Sequence, residues 1–317
     1  MHRSIALAPL LYGASFVVAF PAAAQEQTRE ILPSNVVPSH YDLAIHPDLN
    51  TLTFTGRNAI TVQVKAPVRD IVLNADGLTF DTVQLGSGET AQASYDQKLG
   101  RATLHFSKPV SPGSHVLTID YHGKIGRQTL GFFVMDYDTA VGKRHTLATN
   151  LEPTGARQIF PGWDEPGVKA TYTVTVDAPA DQMAIANMPV ARSVPLSPTT
   201  NRVTFAQSPK MSSYLFFIGI GDWERIHQVV DGVDVGVVVN RGDGAKGRFA
   251  LSEAGQLLHW YNNYFGIRYP LPKLDLIAAP GQIQGGSMEN WGASSILRTT
   301  CCSIRQKLLM RTGKRSS

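Results

Sequence analysis

The chain has 317 residues, of which 43% are hydrophobic and 17% are charged. This length predicts about two domains, and the composition excludes a disordered chain or one that lies mostly within a membrane. The formal net charge of +4 arises near the C-terminus, where six Lys or Arg residues and no acidic residue follow Glu289. Because the other 23 basic residues face 25 acidic ones, we do not predict nucleic-acid binding.

The N-terminal residues have the pattern of a secretory signal peptide. Arg3 supplies a positive start, residues 5–20 are mostly apolar, and the run Ala22-Ala23-Ala24 offers a cleavage site before Gln25. A membrane anchor is the alternative, but the apolar stretch is short for a span of about 20 residues and no stop-transfer charges follow it. The sequence predicts a signal peptide at 1–24, export to the periplasm or secretion, and no stable membrane anchor.

Alternation of apolar and polar residues dominates the next part of the chain. It is clearest at Ile60, Val62 and Val64 and at Tyr172, Val174 and Val176. A period of two with β-branched residues is typical of half-buried strands, and turn signals such as the Ser-Pro-Gly at 111–113 separate them. Many short strands predict a β-sandwich or barrel-like domain over residues 25–222.

The pattern changes after Asp222. A short β region at 233–239 and a Gly-rich turn at 241–244 precede a predicted helix. Its apolar face is formed by Leu251, Ala254, Leu258, Tyr261 and Phe265, which are spaced by three and four residues. Gly266 suits the C-terminal cap, and an apolar strand follows at 274–279. Residues 223–292 are therefore predicted to begin a second domain of mixed α and β structure.

Four motifs follow one another along the chain. They are Asn-Leu-Glu-Pro-Thr-Gly-Ala-Arg at 150–157, Phe-Pro-Gly-Trp-Asp-Glu-Pro at 160–166, Tyr-Phe-Gly-Ile-Arg-Tyr-Pro-Leu-Pro-Lys-Leu-Asp at 264–275, and Gly-Ser-Met-Glu-Asn-Trp-Gly at 286–292. Through them, residues 30–292 resemble the zinc aminopeptidases of the aminopeptidase N family. The resemblance implies a mainly β protein: an N-terminal β-sandwich or saddle-like β domain, then the incomplete start of a thermolysin-like α+β catalytic domain.

The same resemblance implies which residues bind substrate. They are Glu152, Gly286, Ser287, Met288, Glu289 and Asn290. Glu152 on a loop and Glu289 on an edge strand would hold the free α-ammonium group of a peptide through charge-assisted hydrogen bonds. The backbone near Gly286 would pair with the peptide as an added strand. The expected partner is therefore a peptide with a free N-terminus, and the alternative is that each glutamate is an ordinary solvated residue.

The Trp163-Asp164-Glu165-Pro166 run could suggest an acid–base pair. We instead predict a structural role, in which the Trp fills a core while the Asp and Pro set a turn. No catalytic residue is predicted within the chain.

The zinc ligands that the resemblance implies are not found in the sequence. The family binds zinc through His-Glu-x-x-His, but no two of the nine histidines here are four residues apart. Catalytic zinc needs three protein ligands and an open position, and Cys301 and Cys302 are adjacent without a nearby His. We therefore expect an inactive, truncated form of a zinc aminopeptidase. A non-catalytic fragment, or a β module that binds peptide N-termini, is the alternative.

Residues 293–317 resemble the family only in another reading frame. With codons chosen to fit, a shift of one base after Gly292 yields Ile-Phe-Tyr-Phe-Glu-Asn-Asp-Leu-Leu-Phe-Asp-Pro, which is family-like. We therefore predict that one base is lost in the codon after Gly292, and that the zinc motif lies further along the shifted frame. The basic residues and paired cysteines of this tail then need no functional explanation.

Overall fold

The computed structural model describes residues 31–139, 142–278 and 287–296. The predicted signal peptide at 1–24, Gly286 and most of the predicted out-of-frame tail lie outside the described residues.

Eighteen strands and one helix make up the regular structure of the described residues. The first nine strands are β1 (Val36–Asp48), β2 (Thr53–Val64), β3 (Val68–Asn74), β4 (Thr79–Leu85), β5 (Ala91–Asp96), β6 (Arg101–Val110), β7 (Gly113–Lys124), β8 (Gly131–Thr139) and β9 (Gly142–Asn150). The others are β10 (Thr171–Pro179), β11 (Met183–Ala186), β12 (Val190–Ser197), β13 (Thr200–Phe205), β14 (Ile218–Gly221), β15 (Trp223–Val230), β16 (Val233–Asn240), β17 (Lys273–Ile277) and β18 (Ala293–Ser295). The helix is α1 (Gly244–Phe265), and 3-10 turns occur at Ala156–Gln158 and Ser213–Leu215.

The strands form four sheets. The largest has seven strands in the order β12-β13-β10-β1-β2-β7-β4, and a three-stranded sheet has the order β3-β6-β5. Two four-stranded sheets follow, β11-β14-β9-β8 and β15-β16-β17-β18. One large apolar cluster draws on the first three sheets, with Ile60, Leu104 and Leu147 among its buried members. The prediction of a mainly β protein is confirmed, because alternating strands can bury one face against a neighbouring sheet.

Helix α1 follows the predicted β region and packs on β15 and β16. It ends where the sequence predicts, since Gly266 adopts the left-handed conformation (φ 64°) that suits a C-terminal cap. Ala254 and Leu258 of the predicted apolar face are buried, but Tyr261 and Phe265 are exposed to 49% and 63%. These two rings stack on each other at 5.8 Å. Among the described residues, no helix combines the length and apolar character of a membrane span.

The region after Asp222 shares a core with the first four-stranded sheet. Phe133 and Ala148 of that sheet form one buried cluster with Trp223, Val238 and Ile277. Strand β17 lies between β16 and the short edge strand β18, and both pairings are parallel. Residues 287–296 therefore sit at the contact between the two parts of the fold, where pockets commonly form.

Candidate amine-binding site

Glu289 lies on a tight turn that leads into the edge strand β18. The backbone of Met288 pairs with that of Ser295 in both directions, at 2.9 and 3.2 Å, so the chain must reverse between them. Gly292 closes the turn with a φ of 69°, a conformation that glycine adopts without strain. We predicted that Glu289 itself lies on the edge strand, and this is wrong, because the strand begins only at Ala293.

Burial alternates along this turn. Met288 and Asn290 are 3% and 2% exposed, whereas Ser287 and Glu289 face solvent. The buried neighbours hold the backbone while the Glu289 carboxylate stays accessible to a ligand. Gly286, the remaining residue of the predicted substrate-binding motif, lies outside the described residues.

Two buried amides attach the Glu289 turn to the segment 215–217 of the β domain. Asn290 Nδ2 donates to the carbonyl oxygens of Leu215 and Phe216, at 3.2 and 3.4 Å. Asn187 Nδ2 donates to Leu215 at 2.7 Å and to the carbonyl of Trp291 at 2.9 Å. Asn187 Oδ1 also accepts a hydrogen bond from the backbone N–H of residue 217, at 2.8 Å. Together these contacts fix the turn against the β domain.

The second part of the fold holds the same turn from the other side. Lys273 Nζ donates to the carbonyl of Gly292 at 2.6 Å and to Asp275 Oδ2 at 2.8 Å. Asp275 also accepts a bond from Arg225 Nε at 2.7 Å. The backbone of Gly292 bonds to the Tyr269 hydroxyl, whose pKa burial raises to about 12. Burial lowers the pKa of Lys273, while the neighbouring Asp275 carboxylate opposes that change. These groups serve as tethers, because each is occupied by a protein partner.

Glu152 projects from the loop that follows β9. Leu151 is fully buried beside it, and the N–H of Gly155 closes the loop on the Leu151 carbonyl at 2.8 Å. Three residues before Glu152, Thr149 Oγ1 accepts a bond from the N–H of Ile218 at 3.1 Å. The end of β9, which leads into the Glu152 loop, and the turn of Glu289 are therefore both attached to residues 215–218. Leu151 and Met288 also belong to the same apolar cluster.

The two glutamates differ from most acidic residues of the fold in having free carboxylates. Among the described residues, neither Glu152 nor Glu289 forms a side-chain hydrogen bond or an ion pair, and both are exposed. Many aspartates, by contrast, are paired, as Asp177 is with Arg202 at 2.8 Å. Two carboxylates without a cation of their own can accept hydrogen bonds from a ligand's ammonium group.

The described residues do not fit a catalytic zinc ion. No group of three or more His, Cys, Asp or Glu residues within them could hold a metal. Six histidines instead bond to aspartates through Nδ1: His46, His105, His122, His145, His227 and His259. His259, on α1, is 61% exposed and pairs with Asp231.

Comparisons with known proteins agree with this combination of fold and motifs. The Peptidase M1 N-terminal domain matches residues 37–215, more than half of the chain, and the Peptidase family M1 domain matches residues 249–312. The chain belongs to this family of peptidases. The second match continues past Gly292 to residue 312. It therefore does not support the prediction that the resemblance to the family ends at Gly292.

Individual relatives carry aminopeptidase names. Aminopeptidase N of Acetobacter pasteurianus is 39% identical over 298 residues, which cover 92% of this chain and 83% of the relative. Aminopeptidase M1-C of Oryza sativa subsp. japonica is 35% identical over 86% of this chain and 31% of its own length. Endoplasmic reticulum aminopeptidase 1 of Rattus norvegicus is 35% identical over 83% of this chain and 29% of its own. The chain thus spans most of the bacterial relative but under a third of the other two.

Several residues that build the site were not singled out from the sequence. Lys273 and Asp275 lie within the motif at 264–275, on which the resemblance partly rests. Their place in that motif was the available signal that they have a role. Asn187 carries no such signal, because its three partners lie about 30 and 100 residues away in the sequence.

Proposed function

We propose that the chain binds the free N-terminus of peptides through Glu152 and Glu289, which together form the amine-binding half of an aminopeptidase site. The observation that carries this proposal is that both carboxylates are exposed and lack a protein partner among the described residues, while neighbouring residues of both chain segments bond to the same segment, 215–218. The aminopeptidase names of the relatives support it.

The chemistry of the ligand follows from these two carboxylates. A terminal ammonium group offers three N–H donors and a positive charge, so each glutamate can accept a charge-assisted hydrogen bond. An acetylated terminus is neutral and keeps one donor. A hydrogen bond to a charged group contributes about 1.5–3 kcal/mol. The free amine should therefore bind roughly ten- to a hundred-fold more tightly than its acetylated counterpart.

Hydrolysis requires a further part of the site. Zinc in this family would supply an activated water, but the described residues contain no fitting ligand set. We therefore propose that the 317-residue chain binds peptide N-termini without cleaving them. We also propose that it is exported after cleavage before Gln25, which the mass of the mature protein would test.

The binding proposal can be tested by NMR titration with leucinamide and with N-acetyl-leucinamide. The unmodified chain should bind leucinamide more tightly, and Glu289→Gln and Glu152→Gln should each remove most of that preference. Glu253→Gln is a matched control, because Glu253 is an exposed glutamate on α1. Equal affinities for the two ligands, or an unaffected Glu289→Gln variant, would reject the amine-binding role.

The absence of turnover has its own assay. Purified chain should contain no stoichiometric zinc and should not hydrolyse an aminoacyl anilide when zinc is added. Zinc-dependent hydrolysis by this chain would contradict the proposal, even if the amine-binding result held.

An inert fragment is the second candidate, and one observation favours it. The end of α1 and the segment that follows it expose large apolar side chains, with Tyr264 at 68% and Ile267 at 74%. Exposed apolar patches of this kind favour aggregation when no partner covers them. If the chain is an inert fragment, its circular dichroism spectrum should be that of a folded β protein, and it should have no affinity for leucinamide.

A further inference from the structure

Asp164 is a buried carboxylate whose two oxygens bind different parts of the fold. Its side chain is 4% exposed. Oδ1 accepts a hydrogen bond from the hydroxyl of Ser213 at 2.6 Å. Oδ2 accepts bonds from Arg157 Nε at 3.0 Å and from the Arg157 backbone N–H at 3.3 Å. Asn74 Oδ1 accepts a bond from the Asp164 backbone N–H at 3.0 Å, which holds the residue in place.

The Arg157 side of this network leads to Glu152. Arg157 lies in the 3-10 turn Ala156–Gln158, which begins directly after the loop that carries Glu152. Arg157 Nη2 also donates to the carbonyl of Asp164 at 3.1 Å. The arginine thus makes three separate bonds to one residue, and these fix the end of the Glu152 loop.

The Ser213 side leads to Glu289. Ser213 begins the 3-10 turn Ser213–Leu215. The carbonyl of Leu215, at the other end of that turn, accepts hydrogen bonds from both Asn187 and Asn290. Asn290 immediately follows Glu289. A displacement of this turn would therefore be passed to the Glu289 backbone through two buried amides.

We infer that Asp164 is a positioning residue that sets the placement of Glu152 relative to Glu289. This inference rests on the proposed amine-binding function and goes beyond it, because Asp164 does not itself contact the ligand. Charge-assisted hydrogen bonds to a carboxylate are short and directional, so one aspartate can fix the positions of two loops relative to each other. The Trp163-Asp164 motif then has a role in the site as well as in the core, where Trp163 is 2% exposed.

A purely structural role makes a different prediction from a positioning role. Removing a bond that only stabilises the fold should lower the unfolding temperature and leave the ligand preference of the folded protein unchanged. Removing a positioning bond should weaken binding of the free amine and leave the acetylated ligand unaffected. The loss should also vanish once Glu289 is neutral, since coupled residues are not additive.

Ser213→Ala is the sharpest variant, because it removes one bond to Asp164 and keeps the Asp164–Arg157 ion pair. Ser212→Ala is the matched control, since the neighbouring hydroxyl bonds to the carbonyl of Pro166 at 2.7 Å. Ser213→Thr retains the hydroxyl and should restore binding. We expect Ser213→Ala to weaken leucinamide binding about three- to tenfold, which corresponds to a coupling of about 0.6–1.4 kcal/mol. In the Glu289→Gln background it should have no further effect.

Hydrogen exchange on the same variants separates this inference from the function on which it rests. Ser213→Ala should accelerate exchange in residues 151–157 and 288–295 together, whereas Ser212→Ala should not. If the unmodified chain does not bind leucinamide, the proposed function fails, and the paired acceleration alone decides the positioning role. If leucinamide binds and Ser213→Ala changes neither affinity nor exchange, or Ser212→Ala changes both equally, the inference about Asp164 is overturned.

Discussion

Replacing Asn187 by Ala should destabilise the protein and loosen the Glu289 turn in particular. Asn187 is 3% exposed and joins β11 to two other parts of the fold through its side-chain amide. Alanine removes both Nδ2 donors and the Oδ1 acceptor. The carbonyl of Leu215 keeps its bond from Asn290, but the N–H of Phe217 and the carbonyl of Trp291 lose the Asn187 side chain as partner.

The magnitude follows from these two groups. A buried polar group left without a partner costs about 1–3 kcal/mol. The Phe217 N–H lies in a buried segment and should bear most of this cost, while Trp291 is 37% exposed and water can partly replace its lost donor. We expect a loss of about 2–4 kcal/mol in the free energy of unfolding. For a protein of this size that corresponds to roughly 4–16 °C in Tm, taking about 2–4 °C per kcal/mol.

Two measurements check this prediction. Thermal unfolding followed by circular dichroism reports the overall loss, and hydrogen exchange reports where the structure opens. Asn58→Ala is a matched control, because Asn58 is also buried and donates to the carbonyl of Pro161 at 2.8 Å. Both variants should lower Tm, but only Asn187→Ala should accelerate exchange in residues 288–295. Unchanged exchange there would refute the argument that Asn187 holds the turn.

Further predictions concern the turn and the pH dependence. Gly292→Ala should lower the free energy of unfolding by about 1–3 kcal/mol through backbone strain alone. The loss should be larger still, because the added Cβ would collide with the backbone carbonyl of Asn187. In chemical denaturation, Gly292→Ala should therefore lose more stability than Gly266→Ala, where the space around the added Cβ is open. Partial burial raises the pKa of Asp177, but hydrogen bonds from Arg202 and His46 outweigh this effect and hold that pKa below its ordinary value. The stability that Asp177 contributes is therefore complete above the unfolded pKa of about 3.9, and it is lost as the pH falls through the lower folded pKa. The Asp177→Asn variant should accordingly show a shallower acid-unfolding curve between about pH 5 and pH 2, and an equally steep curve would contradict this prediction.

The strand pattern and the helix could be predicted from the sequence because they depend on local periodicity. Ile60, Val62 and Val64 are fully buried, as their alternation indicates, and Gly266 ends α1 as expected. The exposure of Tyr261 and Phe265 could not be predicted in this way. A helical repeat shows that one face is apolar, but it does not show how far the covering sheet extends along the helix.

The site was predictable only in part, for a similar reason. The Met-Glu-Asn motif suggested an edge strand at Glu289, and it did not reveal that the chain reverses there. That reversal depends on Gly292 and on tethers from Asn187 and Lys273. These tethers join residues separated by 19 and 104 positions, and such distant pairings leave no periodic trace in a single sequence.

The most direct test of the account is a crystal structure of the chain with leucinamide bound. The account predicts that the ligand's amine nitrogen lies within hydrogen-bond distance, about 2.7–3.2 Å, of carboxylate oxygens of both Glu152 and Glu289. It also predicts that Asn187, Lys273 and Asp164 keep the contacts described above. An amine bound elsewhere on the protein, or one held without Glu289, would contradict the central claim that these two glutamates form an amine-binding site.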